Sequence, residues 1–242
     1  MWVRRDRDVG IYEGSSYPHL FSNFPGGVRV ALGKTSLGAS VYVNEDVVFD
    51  GAPVLFRKAW QHLCFTFEDV SAAGDGSKVA FRLYINGVLQ QSVDKELPEG
   101  KKLGSAAGTA NLGGNGGNRP FTGILDEVRL WNRALSAAEV REEFERVPGG
   151  PEDALLSRWT MDEVVTESGV RKFKDSGVQA RDLELGSGVT TVAGVKGNAA
   201  RTDGTTASWA YTTAAVNISD MTLCAWVNQS VDSSKDNESK IG

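Results

Sequence analysis

The stretch VAFRLYINGVLQQSV, residues 79–93, restricts the fold more than any other part of this chain. Asn86-Gly87 separates two runs rich in β-branched, aromatic and alternating apolar residues. A two-residue hairpin of type I′ needs φ > 0 at both central positions, and Asn-Gly is the pair that accepts this at least cost. Strand signals of the same kind recur along the chain: VRVAL (28–32), ASVYV (39–43), WQHLCFTF (60–67), and shorter runs at 110–113, 123–131, 155–161, 207–211 and 221–227. Many short strands joined by turns, in a chain holding 28 glycines, predict an all-β fold: an antiparallel β-sandwich of the jelly-roll kind. One short helix is expected after the strand ending at Trp131. LSAAEVREEFERV places Ser136 three residues before Glu139, the spacing of a capping box, and Val140, Phe144 and Val147 follow at helical spacing.

Composition removes several classes of function. The net charge of −5 and the absence of long Lys/Arg runs argue against nucleic acid or an anionic membrane as partner. No apolar run approaches the roughly 20 residues of a membrane span, and the residues after Met1 are not expected to act as a secretory leader. Neither a phosphate-binding loop nor a zinc-protease motif is present. Asp126-Glu127 are neighbours on a strand, which predicts carboxylates on opposite faces rather than a hydrolytic pair on one. His62 and Cys64 share a strand face at i and i+2 and are read as sheet residues rather than a catalytic dyad.

The Pro148-Gly149-Gly150-Pro151 cluster divides the chain into residues 1–147 and 152–242, with 148–151 as linker. Three segments resemble laminin G-like jelly rolls of the concanavalin A-like superfamily. WQHLCFTFED…VAFRLYINGVLQQSV resembles the family's Trp-x-His strand and following hairpin. FTGILDEVRLWNRALSAAEV is similar to its closing strand and helix. LSRWTMDE…ISDMTLCAWVN resembles its opening strands. The order is rotated: residues 1–147 correspond to the back of such a domain and 152–242 to the front. The resemblance therefore implies that 152–242 either completes the first sandwich or starts the next repeat. On it, Trp2-Val3 and Trp226-Val227 are equivalent strands of successive repeats, and the longer C-terminal copy is expected to take the shared position.

Pentraxins, relatives in the same superfamily, resemble the chain at QHLCFTF and TLCAWV, which implies a Cys64–Cys224 disulfide and an oxidising compartment. Their calcium loop corresponds to LGGNGGNRPFTG, which lacks acidic residues here. A structural Ca2+ would instead use Asp126 and Asp203 with backbone carbonyls; the alternative is that Asp126 caps backbone amides and Asp203 makes a turn. Sugar-stacking aromatics are expected at Trp209 and Tyr211, alternating on one strand face, and at Tyr12 and Tyr17. Asn217, Asn228 and Asn237 begin glycosylation sequons. The resemblance implies a non-catalytic, extracellular or cell-surface module binding glycans or partner proteins. The alternatives are a glycoside hydrolase or lyase on the same sandwich, or a structural adhesion repeat.

Overall fold

The structure is a computed structural model that describes residues 18–24, 27–32, 39–43, 46–50, 59–104, 107–114, 119–145, 154–217 and 220–228. Among the described residues there are seventeen strands and one helix, the strands forming two antiparallel sheets that face each other across an apolar core. In chain order the strands are β1 (His19–Phe24), β2 (Val28–Leu32), β3 (Ala39–Val43), β4 (Asp46–Asp50), β5 (Gln61–Asp69), β6 (Lys78–Ile85), β7 (Val88–Glu96), β8 (Ala107–Leu112) and β9 (Thr122–Trp131). Helix α1 (Ala137–Glu145) follows, then β10 (Leu155–Trp159), β11 (Val164–Glu167), β12 (Val170–Phe173), β13 (Leu183–Leu185), β14 (Thr190–Ala193), β15 (Asn198–Asp203), β16 (Ala210–Asn217) and β17 (Met221–Asn228).

One sheet has nine strands in the order β11-β12-β13-β16-β8-β1-β2-β3-β4. The other runs β14-β15-β9-β17-β5-β6-β7, with β10 also paired to β9. Both sheets therefore contain strands from either side of the Pro/Gly cluster. The deepest join is β17, which is hydrogen-bonded to β5 along one edge and to β9 along the other. Its alternation sends Met221, Leu223, Ala225 and Val227 into the core between the sheets. Cys224 and Trp226 face away from that core. The Trp2 copy lies outside the described residues.

The turn of the β6–β7 hairpin has the expected form, with φ of 52° at Asn86 and 74° at Gly87. A Cβ at Gly87 would also meet the Phe144 ring at 3.0 Å, so the turn is the surface on which α1 rests. The capping box forms as well: Ser136 N–H donates to Glu139 Oε2 at 2.7 Å, and Glu139 N–H to Ser136 Oγ at 3.3 Å.

The segment after the linker is richer in strands than its composition suggests. VVTE, VRKF, LEL and TTVA are short, largely half-exposed, and lack apolar alternation, so periodicity gives no signal for them. Their loops are held by single carboxylates. Asp175 accepts N–H groups from Arg158, Gly177 and Arg181, and Trp159 Nε1 donates to the Arg181 carbonyl at 2.8 Å. The strand expected at 207–211 instead begins at Ala210 and runs on to Asn217. Because β9 pairs with β10, β15 and β17, a protease site engineered between Pro148 and Pro151 should yield two fragments that co-elute at the intact mass under native conditions. Separation into two folded pieces would contradict this topology.

Candidate functional site

On the outward face of β5, β9 and β17 lies a second, smaller core, covered by α1. Cys64 and Cys224 are directly opposed across β5 and β17, with Cα atoms 4.4 Å apart, and are joined in a disulfide. That separation matches a non-hydrogen-bonded antiparallel pair, the position that brings side chains closest. Tyr84, Trp131, Leu135, Val140 and Leu155 pack around the bridge. His62 lies two residues from Cys64 and opposite Trp226, with ring centroids 5.5 Å apart, and Phe144 of α1 is 5.8 Å from the imidazole. Burial and the Arg129 guanidinium push the His62 pKa down to about 3, so the ring is neutral at physiological pH. With both sulfurs in the bridge, no thiolate is present for a Cys/His dyad.

Beside the bridge runs a buried ionic network that the sequence reading missed. Arg129 donates to Glu127 at 3.0 Å and to Glu143 of α1, and Arg158 lies 3.8 Å from Glu127. Glu143 sits three residues after Val140, on the face that α1 turns inward, and this acidic residue within an apolar stripe was the available signal. Such a cluster fixes the helix in register on the sheet rather than adding much net stability.

The expectation that Asp126 and Glu127 point to opposite faces fails at a β-bulge. Glu127 has φ 46°, and the pairing of β9 with β17 slips at this point. Both carboxylates are buried, and neither opens onto a groove. Asp126 accepts N–H groups from Glu127 at 2.8 Å, Val195 at 2.7 Å and Lys196 at 3.2 Å, pinning the β14–β15 turn. Gly194 is required there, since a Cβ would lie 2.4 Å from Asp126 Oδ2.

The pairing of Asp126 with Asp203 around one calcium ion is corrected by this geometry. Asp203 pairs with Thr122 at the start of β9, and Asp126 is four residues further along, roughly 13 Å away. Asp203 instead closes a turn, accepting the Thr205 N–H and hydroxyl at 2.9 and 2.8 Å. Its carboxyl is held below the usual range by those bonds, against an opposing effect of burial. These donors are committed to the chain itself and do not fit a shared Ca2+ site.

Trp209 and Tyr211 do come together. Their rings stack with centroids 4.5 Å apart, and the Tyr211 hydroxyl donates to Glu184 at 3.1 Å. They lie on the outer face of the nine-stranded sheet, opposite the row containing Ala210 and Leu112 that faces the core. Cross-strand pairing there sets Lys172, Glu184, Tyr211, Asn111, Ser22, Arg29 and Tyr42 in one transverse row. Ser22, Asn111 and Arg29 are buried, whereas Lys172, Glu184 and Tyr211 are half-exposed. Tyr12, Tyr17 and Asn237 lie outside the described residues. Asn217 ends β16, and Asn228 ends β17, half-exposed and with its side-chain oxygen buried and unpaired.

This sandwich, with a helix over the outward face of one sheet and a cross-strand bridge beneath it, defines a jelly-roll domain. Residues 1–141 match the Laminin_G_3 family of the concanavalin A-like lectin/glucanases superfamily, and the chain belongs to that family. No curated protein and no solved structure matches the chain.

Two outcomes follow from the Asp126 geometry. Asp126→Ala orphans buried N–H groups and should cost about 2–4 kcal/mol, equally in calcium and in chelator, by denaturant titration. Calcium-dependent destabilisation would contradict the assignment of Asp126 to the backbone. Burial also raises the Asp126 pKa to about 7, against the opposing pull of the backbone N–H groups. The unfolded carboxyl titrates near 4, so folding takes up a proton between about 4 and about 7. The stabilisation is complete below the first value and lost as pH rises through the second. Wild-type stability measured against Asp126→Asn should therefore decline across that window, and a flat difference would contradict the raised proton affinity.

Proposed function

We propose that the chain is a non-catalytic recognition module that binds glycans through the outer face of its nine-stranded sheet. It is centred on the Trp209–Tyr211 stack, in an extracellular or cell-surface setting. The observation that carries this reading is the half-exposed aromatic pair set beside Glu184 and Lys172. Pyranose rings present C–H faces that pack on an aromatic surface, while their hydroxyls need fixed acceptors and donors at its edge. Glu184 supplies the acceptors and Lys172 the donors, and the 3.8 Å contact between them keeps the pair together. Family membership is compatible with lectins and with glucanases, so the choice between them rests on the carboxylates.

Hydrolysis of a glycosidic bond needs one carboxyl that keeps its proton near neutral pH and can reach the substrate. Among the described residues, the carboxyl groups pushed up to about 7 are Asp126 and Glu143, and both are sealed beneath other elements. Further out on the same sheet face, where Lys172 links Glu167 to Glu184, hydrogen bonding to Lys174 pulls the Glu167 carboxyl down, which favours a permanent anion over a proton donor. This supports binding over catalysis. The disulfide supports a setting outside the reducing cytoplasm.

Trp209→Ala should abolish retention on the glycans that an array identifies, lowering affinity by at least about tenfold, while the melting temperature shifts by only a few degrees. Unchanged glycan binding in a folded Trp209→Ala variant would move the site elsewhere. Release of reducing sugar by the wild-type chain would favour the glucanase reading.

A further inference from the structure

The disulfide region contains more metal-ligating chemistry than a structural bridge requires. The donor atoms of His62, Cys64 and Cys224 all lie within 4.8 Å of one another, and all three residues are buried. The Nδ1 atom of His62 has no hydrogen-bond partner, which is costly for an imidazole that is 1% exposed. Neither the fold nor the proposed glycan site makes use of that nitrogen.

We infer that the two-electron-reduced form of this protein binds one Cu+ ion through the thiolates of Cys64 and Cys224 and the imidazole of His62. Reduction by a dithiol breaks the S–S bond, leaves a thiol on each cysteine and closes the reductant to its own disulfide. Metal uptake then replaces the two thiol protons, which pass to solvent, with no change in the oxidation state of copper. The backbone already places the donors. His62 and Cys64 project from one face of β5, and Cys224 projects from the same face of β17 directly opposite Cys64. Bonds of roughly 2–2.3 Å hold the donors of a three-coordinate ion roughly 3.5–4 Å apart, so the separated sulfurs and the ring need move only slightly.

The choice of Cu+ rests on the number and character of the donors. Thiolate and imidazole are soft to borderline ligands, suited to Cu+ and Zn2+. Structural Zn2+ takes four ligands in a tetrahedron. Here the fourth corner of the square formed by facing strand positions is Trp226, which offers a ring and no lone pair for coordination. Phe144 closes the same space from α1, so water does not replace the missing ligand. A dry site with three donors fits a monovalent soft ion.

The test reduces the whole chain with a phosphine, which takes up the oxygen of one water as it becomes the oxide. The phosphine is then removed by anaerobic desalting. Copper is supplied as Cu+ against a chromogenic Cu+ chelator, and zinc is titrated in parallel. The expected result is one Cu+ per reduced chain, with a thiolate-to-copper charge-transfer band and retention of the far-UV signature of the sandwich. The unreduced protein, which is the same chain with the donors locked together, should take up none. His62→Gln should weaken Cu+ binding by at least about tenfold, and Cys64→Ser/Cys224→Ser should abolish it. Loss of the sandwich on reduction, equal Cu+ affinity with and without His62, or tighter retention of Zn2+ than of Cu+ against matched chelators would each overturn the assignment.

Discussion

The arrangement depends on β17 lying between β5 and β9. Among the described strands of residues 154–228, this one has both of its edges hydrogen-bonded to strands of residues 59–145 in one sheet. A sandwich without it would have two exposed edges in the middle of a sheet and a gap in the core beneath Leu223 and Val227. The apolar lining of Leu63, Leu125 and Val128 around those residues loses its packing partners if the strand is withdrawn. Truncating even one buried leucine there carries a cost of about 2–5 kcal/mol, and β17 contributes four apolar side chains to that surface at once.

The same strand organises the outward face. Every second residue of β17 points away from the main core, so placing Leu223 inside also places Cys224 against Cys64 and Trp226 against His62. A one-residue slip would exchange these sets and put a cysteine and a tryptophan into the leucine layer. Helix α1 then seals the outward set, with Phe144 over His62 and the Gly87 turn, and Glu143 tied to Arg129. Main-core packing, bridge formation and helix docking thus follow from a single register. The opposite sheet, whose outer face bears the Trp209–Tyr211 pair, is held to this assembly through the shared core.

The architecture was legible wherever side chains carry a strong local preference. Asn86-Gly87, the Ser136/Glu139 box and the alternation of DMTLCAWV each have one good conformation, and each adopts it. Strands β11 to β15 were not legible, because VRKF or TTVA carries no apolar period and is ordered by the strands and carboxylates around it. The cysteine pairing was legible through resemblance, since two cysteines 160 residues apart announce nothing by spacing. Trp209 and Tyr211 were found by i, i+2 alternation, which local geometry preserves. Asp126 with Asp203 failed because nearness to the same pair of strands does not bring two side chains to one ion. The bulge at Glu127 was invisible in the sequence, as a positive φ at a glutamate is set by the strand partner and not by the residue itself.

The most direct test of the account is peptide mapping of the unreduced protein after alkylation of any free thiols. The register of β17 against β5 predicts one cross-linked species joining the peptide with Cys64 to the peptide with Cys224 within a monomer, separating on reduction. Failure of Cys64 and Cys224 to cross-link within the folded monomer even under added oxidant, or a bridge found only between two chains, would show that β17 does not occupy the position between β5 and β9.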